Sequence, residues 1–141
     1  SLRNMGVSRA ETRRKVAELL EKCGLEKEYA DRYPHQVSGG QCQRAAIARA
    51  LAVNPSILIC DEATSALDVT VQKQILELLI ELKQKENLSF ILICHDLALV
   101  QAFCDRVLVL YHGKTVECGT PDEIINHPKM DYTRKLIDSV L

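Results

Sequence analysis

The chain has 141 residues, a length that suits one domain with a buried core. Its 18 lysines and arginines nearly balance 19 aspartates and glutamates, so charge gives no case for a nucleic-acid partner. No apolar stretch approaches the roughly 20 residues that cross a bilayer, and the 6 cysteines contain no C-x-x-C pair. We therefore expect reduced cysteines that pack as small apolar side chains, and membrane association only through a partner.

The first predicted elements are helical. Ser8 and Glu11 form a capping-box pattern that opens a helix, and Gly24 ends it. A short helical stretch is predicted over 26–32 and a longer helix over 41–53. The longer helix is rich in alanine, which indicates close packing against a neighbouring element.

The start of the longer helix reads Ser38-Gly39-Gly40-Gln41. Ser38 and Gln41 alone fit an ordinary helix cap. Each glycine costs roughly 1 kcal/mol relative to alanine inside a helix, so a purely structural cap would be better without them. Glycine exposes bare backbone to a ligand, and N–H groups at a helix start attract phosphate. We interpret this segment as an anion site.

Two carboxylates follow the next predicted element. The apolar run 57–60 predicts a strand buried on both faces, and Asp61 and Glu62 come directly after it. Ligands of open α/β sheets bind at the carboxyl ends of such strands. Asp61 could hold Mg²⁺, which prefers a few carboxylates together with phosphate oxygens. Glu62 could polarise an attacking water.

A strand–helix–strand unit continues the chain. Asp68 is the predicted N-cap of a helix whose apolar face contains Val71, Ile75, Leu78, Leu79 and Leu82. The run 90–94 predicts a second buried strand, and His95 follows it. We expect His95 at the same sheet edge as Asp61, where it would serve chemistry rather than structure.

The remaining elements are short. A helix containing Leu97, Val100 and Phe103 precedes a predicted hairpin that turns at His112 and Gly113. A capping box at Thr120 opens another short helix, and a last helix is predicted over 132–140.

Taken together, the motifs resemble the carboxyl-terminal part of ATP-binding-cassette (ABC) ATPases. Ser38 to Gln41 match the signature motif, 57–61 the Walker B strand, Glu62 the catalytic carboxylate, 65–68 the D-loop and His95 the switch histidine. The resemblance implies an α/β fold, a P-loop NTPase (RecA-like) core with a helical subdomain, present only in part. Under it, residues 1–36 would belong to the helical subdomain, and 37–141 to the signature helix plus the carboxyl-terminal part of the core.

The resemblance also implies a mechanism that uses ATP and Mg²⁺. Two cassettes would pair head to tail, and Ser38 to Gln41 would contact the γ-phosphate held by the opposite subunit. Asp61 would act in the Mg²⁺ site, Glu62 would orient or deprotonate water, and His95 would contact the γ-phosphate. Asp68 would couple the two sites across the interface.

The end of the chain is similar to a narrower group within the family. The segments 119–121, 127–128 and 132–134 resemble the ends of ABC ATPases that serve oligopeptide, dipeptide and nickel importers. That group implies a second ATPase subunit (identical or paralogous), transmembrane permease subunits and, indirectly, an extracytoplasmic solute-binding protein. It also implies a peripheral location on the cytoplasmic face of the cell membrane.

A P-loop is missing from the sequence. The only Gly-Lys-Thr is Gly113-Lys114-Thr115, and Leu108 stands where the motif needs its first glycine. Under the resemblance, the chain is expected to be a carboxyl-terminal fragment that is inactive by itself. Two other interpretations stay open: a soluble ABC ATPase of translation or DNA repair, and a non-catalytic dimerisation module. The second has no need of Asp61, Glu62 and His95 at strand ends.

Overall fold

The computed structural model describes Gly6, residues 8–62 and residues 67–140. The chain forms two compact units, one up to Ile91 and one from Leu92 onward. Among the residues described, no helix is long and apolar enough to span a bilayer. The domain division predicted from the sequence stays a prediction.

The first unit is mainly helical. Helices α1, α2 and α3 cover Arg9–Lys22, Gly39–Leu51 and Val69–Glu86, and two 3₁₀ helices cover Lys27–Asp31 and Pro34–Gln36. Ser8 is the N-cap of α1, and its hydroxyl accepts the Glu11 N–H at 3.3 Å. Gly24 follows the helix with a φ of 70°, the left-handed conformation that commonly ends a helix. Both ends of the first predicted helix are thus confirmed.

The core of the first unit is built by these helices packing on one another. α1 packs on α2, and α2 packs on α3. On α3 the buried residues are Ile75, Leu78, Leu79 and Leu82, which confirms most of the predicted apolar face. The predicted face member Val71, in the first turn of α3 and next to the start of α2, is only half-buried.

Strands β1 (Ile57–Asp61) and β2 (Ser89–Ile93) form a two-stranded sheet. The strands start side by side, since the Ser89 N–H donates to the Ser56 carbonyl at 3.0 Å. Exposure alternates along β1: Leu58 and Cys60 are buried, whereas Ile57 and Ile59 are 54% and 64% exposed. The prediction that both faces of β1 are buried is therefore wrong. Alternate side chains of a strand point to opposite faces, and the described residues cover only one face.

The second strand shows the same pattern more weakly. Along β2, exposed and half-buried residues alternate, and Ile91 and Ile93 are each 50% exposed. The prediction of a second buried strand is therefore also wrong for the residues described. The apolar runs predicted strands correctly, but their composition does not tell which face is covered.

The second unit contains a hairpin and three helices. Helix α4 covers Leu97–Phe103, strands β3 and β4 cover Val107–Tyr111 and Lys114–Gly119, and helices α5 and α6 cover Pro121–Ile125 and Asp131–Asp138. The strands pair antiparallel, with an irregularity between Val109 and Leu110. At the turn, His112 and Gly113 both have positive φ, 46° and 74°. Two such residues make a tight hairpin turn, which confirms that this Gly-Lys-Thr is no phosphate loop.

A carboxylate on β4 holds the start of α6. The Glu117 side chain accepts the N–H groups of Lys129 and Met130 at 2.8 and 3.2 Å. Thr133 is fully buried, and its hydroxyl makes no regular hydrogen bond among the described residues. The Thr133 hydroxyl close to the Glu117 carboxylate, together with the two backbone N–H groups, holds the pKa of that carboxyl below its usual value. The contact anchors α6 to the hairpin.

Candidate functional site

The start of α2 is a complete capping box. Ser38 is the N-cap, and its hydroxyl accepts the Gln41 N–H at 3.3 Å. In return, the Gln41 side-chain oxygen accepts the Ser38 N–H at 2.9 Å. The reciprocal pair satisfies two of the N–H groups that a helix start leaves without an intrahelical acceptor. The predicted cap is confirmed.

Two further N–H groups remain open at this helix start. The Cys42 N–H donates to the Ser38 carbonyl at 2.9 Å, so the helical ladder begins there. Among the described residues, no acceptor is found for the N–H groups of Gly39 and Gly40. These two donors lie at the positive end of the helix dipole, where an anion is stabilised.

The glycines also have a packing role that the sequence did not reveal. A Cβ at Gly40 would lie 2.5 Å from Cγ1 of Val71, on the first turn of α3. A Cβ at Gly39 would lie 3.2 Å from Cδ2 of Leu67. Gly40 is itself buried. Close approach of α2 and α3 therefore gives a structural reason for Gly40, and the presence of the two glycines alone does not establish an anion site.

An open pocket of about 380 Å³ lies beside the start of α2. Its wall is formed by the signature segment, the loop after α1 and the first turns of α3. The lining residues are Gly24, Leu25, Glu26, Tyr29, Ser38, Gly40, Gln41, Arg44, Val71 and Gln74. One guanidinium nitrogen of Arg44 donates to the Cys23 carbonyl at 2.9 Å, which fixes the arginine against the end of α1. No local pattern predicts that Tyr29, Arg44 and Gln74 share a wall with Ser38, because their approach depends on tertiary packing.

The two carboxylates predicted at the end of β1 are both exposed. Asp61 is the last residue of the strand, and Glu62 follows it. Glu62 has a φ of 46°, the left-handed conformation that a non-glycine residue adopts at a cost of about 1–3 kcal/mol. Asn54, Asn87 and His112 have similar positive φ values, so the conformation of Glu62 alone does not identify a functional site.

Asp68 caps α3 as predicted. Its side chain accepts the Val71 N–H at 3.0 Å. The side chain of Val71 in turn lies against Gly40, so Asp68 and the signature glycine both contact one residue, Val71. Of the other D-loop residues, Leu67 is described, whereas Ser65 and Ala66 lie outside the described residues.

His95 follows β2 and is exposed. The next residue, Asp96, caps α4 by accepting the Leu99 N–H at 3.1 Å. His95 belongs to the second unit, whereas Asp61 and Glu62 belong to the first. The expected nearness of the histidine to the carboxylates therefore stays a prediction.

The cysteines occupy different environments. All 6 cysteines are free, and the described residues hold no group of three or more side chains suited to a metal ion. Burial raises the pKa of Cys23 to about 11 and also raises the pKa of Cys60. The expectation of cysteines that pack as small apolar side chains is confirmed for the buried Cys23 and Cys60, whereas Cys42 and Cys118 are exposed.

Comparison with known proteins gives the family. The family model described as ABC transporter matches residues 2–65, which contain the signature segment and the Walker B strand. The oligopeptide transport ATP-binding protein OppF of Escherichia coli K12 is 50% identical over 134 residues, 95% of this chain and 40% of OppF. The dipeptide transport ATP-binding protein DppF of the same organism is 46% identical over 136 residues, 96% of this chain and 41% of DppF.

A solved structure agrees with these relatives. The dimeric, ADP- and phosphate-bound ATP-binding cassette MJ0796 is 36% identical, with a TM-score of 0.69 over 82% of this chain and 49% of that cassette. The chain thus spans about half of the cassette and about two fifths of the length of OppF and DppF. The fold is that of part of a P-loop NTPase cassette, and the chain belongs to the ABC transporter ATPase family.

Proposed function

We propose that the chain contributes to ATP binding and hydrolysis in the ATPase subunit of an ABC importer. The open start of α2 carries the proposal, because the N–H groups of Gly39 and Gly40 have no acceptor among the described residues, and Gly40 lines a pocket of about 380 Å³. A phosphate group there would receive both N–H bonds and the field of the helix dipole. Ser38 and Gln41 fix the geometry of the two donors through the capping box.

The carboxylates supply the second half of the proposed site. Asp61 is an exposed oxygen donor at a strand end, which suits Mg²⁺ because that ion is held by one or two carboxylates plus water and phosphate oxygens. When bound, Mg²⁺ would neutralise charge on the transferred phosphoryl group. Glu62 would orient or deprotonate the attacking water, and His95 would contact the γ-phosphate. Asp68 would couple the two sites of a cassette dimer.

Peptides are the proposed cargo. The relatives compared above are named for oligopeptide and dipeptide transport, which favours peptides over nickel. The proposed partners are a second ATPase subunit, transmembrane permease subunits and, indirectly, a solute-binding protein. A cassette of the same family is described as a dimer, which supports the first of these. A peripheral position on the cytoplasmic face of the membrane follows from the permease partners.

One observation favours the non-catalytic alternative. The packing of Gly40 on Val71 explains this glycine without any ligand. A module that dimerises through α2 and binds no nucleotide would need no other reason for it. Asp61 and Glu62 are two exposed carboxylates at one strand end, and they favour catalysis because a module that only dimerises has no need of them. A functional test should therefore address Glu62.

The test compares Mg²⁺-ATP turnover of the full-length protein, assembled with its partners, between wild type and Glu62→Gln. The substitution keeps size and removes the charge. We expect turnover to fall by about two to four orders of magnitude, as for loss of a general base, and the ATP-bound dimer to accumulate on a sizing column. Glu21→Gln, the same change on the exposed side of α1, is the control and should have no effect. Unchanged turnover in Glu62→Gln would refute the assignment.

A further inference from the structure

The side-chain amide of Gln41 is held at both ends. Its oxygen accepts the Ser38 N–H at 2.9 Å, and its nitrogen donates to the Tyr29 hydroxyl at 2.8 Å. The two bonds together determine which way the amide faces. If the amide rotated, its NH₂ group would face the Ser38 N–H, donor against donor, and the capping box would be lost.

Tyr29 is well placed to hold this amide. It lies on the 3₁₀ helix Lys27–Asp31, which packs on α1. The Tyr29 N–H donates to the Glu26 carbonyl at 3.0 Å, and the Tyr29 carbonyl accepts the Arg32 N–H at 3.2 Å. These two bonds fix the backbone of Tyr29 on both sides. The phenol is partly buried and lines the same pocket as Ser38 and Gln41.

We propose that Tyr29 is a positioning residue for the signature segment. Through Gln41 it keeps the capping box closed, and the closed box holds the helix start in the geometry that leaves the N–H groups of Gly39 and Gly40 open. Tyr29 need not touch the nucleotide. The inference rests on the proposed function for its consequence in turnover, whereas the Tyr29–Gln41 bond itself can be tested separately.

The consequence is tested with a double-mutant cycle of Tyr29→Phe and Gln41→Ala. Phenylalanine keeps the ring and removes only the hydroxyl. We expect Tyr29→Phe to lower Mg²⁺-ATP turnover of the full-length protein about three- to tenfold, the effect of one hydrogen bond. In the Gln41→Ala background the same change should cause no further loss, because Tyr29 acts through Gln41. Equal losses in both backgrounds would overturn the proposal.

The bond is tested by NMR of the side-chain amide of Gln41 in ¹⁵N-labelled protein. Gln41→Ala identifies the signal pair by its disappearance. Tyr29→Phe should move this pair toward the positions of exposed glutamines, while Tyr132→Phe, the same change on α6 in the other unit, should leave it in place. An unmoved pair refutes the positioning role. If wild type hydrolyses no ATP, the proposed function fails, and this measurement alone decides on Tyr29.

Discussion

Replacing Gly40 with alanine tests the contact between the signature segment and the start of α3. The added Cβ would lie 2.5 Å from Cγ1 of Val71, whereas carbon atoms in favourable contact are about 3.5–4.0 Å apart. One helix must therefore shift by about 1 Å, or Val71 must leave its rotamer. The substitution adds volume where two helices already touch.

The expected magnitude follows from two opposing terms. Overpacking of this kind costs roughly 1–3 kcal/mol. Alanine is favoured over glycine in a helix by up to about 1 kcal/mol. We therefore expect Gly40→Ala to lower the free energy of unfolding by about 1–2 kcal/mol. Gly39→Ala is the matched control, because its Cβ would meet only the flexible end of Leu67 at 3.2 Å, and its effect should stay within about 0.5 kcal/mol.

Urea unfolding of four proteins checks the reasoning: wild type, Gly40→Ala, Val71→Ala and the double variant. Val71→Ala removes the clashing methyl group and leaves a Cβ at 3.8 Å, an ordinary contact distance. In that background, Gly40→Ala should be neutral or stabilising by up to about 1 kcal/mol. If Gly40→Ala is as stable as wild type, or if Val71→Ala gives no relief, the close approach of the two helices is not the reason for glycine.

Two further predictions concern the rest of the chain. Glu117→Gln should lower the free energy of unfolding at neutral pH, because the folded state holds the pKa of Glu117 below its ordinary value of 4.5. The difference in free energy of unfolding between wild type and variant should persist above about pH 5 and disappear as the pH falls through the folded pKa. Urea unfolding across that pH range measures it. An unchanged difference at acid pH would contradict it. At pH 8 iodoacetamide should modify the exposed Cys42 and Cys118 well before Cys23, which is buried. A pKa of about 11 leaves about one Cys23 side chain in a thousand as the reactive thiolate. Mass spectrometry of tryptic peptides gives the order of modification, and early modification of Cys23 would refute its burial.

Local signals predicted most of the secondary structure. Ser8, Ser38, Asp68 and Thr120 are all N-caps in the structure, because capping depends on residues three positions apart in sequence. The hairpin turn at Gly113 was predictable because it, too, depends on residues that are close in sequence. The class of fold followed from the order of the motifs.

What the sequence could not give depends on contacts between distant elements. The exposure of Ile57 and Ile59 is decided by which neighbours cover the sheet, and not by the composition of the strand. The bond between Tyr29 and Gln41 joins residues 12 positions apart through a 3₁₀ helix whose path no local pattern specifies. The approach of Val71 to Gly40 likewise requires α2 and α3 to be packed first.

Under the proposed function, the start of α2 meets two demands at one place. Close packing on α3 requires the absence of a Cβ at Gly40, and phosphate binding requires open N–H groups at the same helix start. Loss of turnover in Gly40→Ala alone would fit either demand, because a shifted α2 also misplaces its donors. The Val71→Ala background separates them, since there the added methyl group no longer displaces the helix. Turnover restored in the double variant would assign the glycine to packing, and turnover still lost would assign it to the approach of the nucleotide.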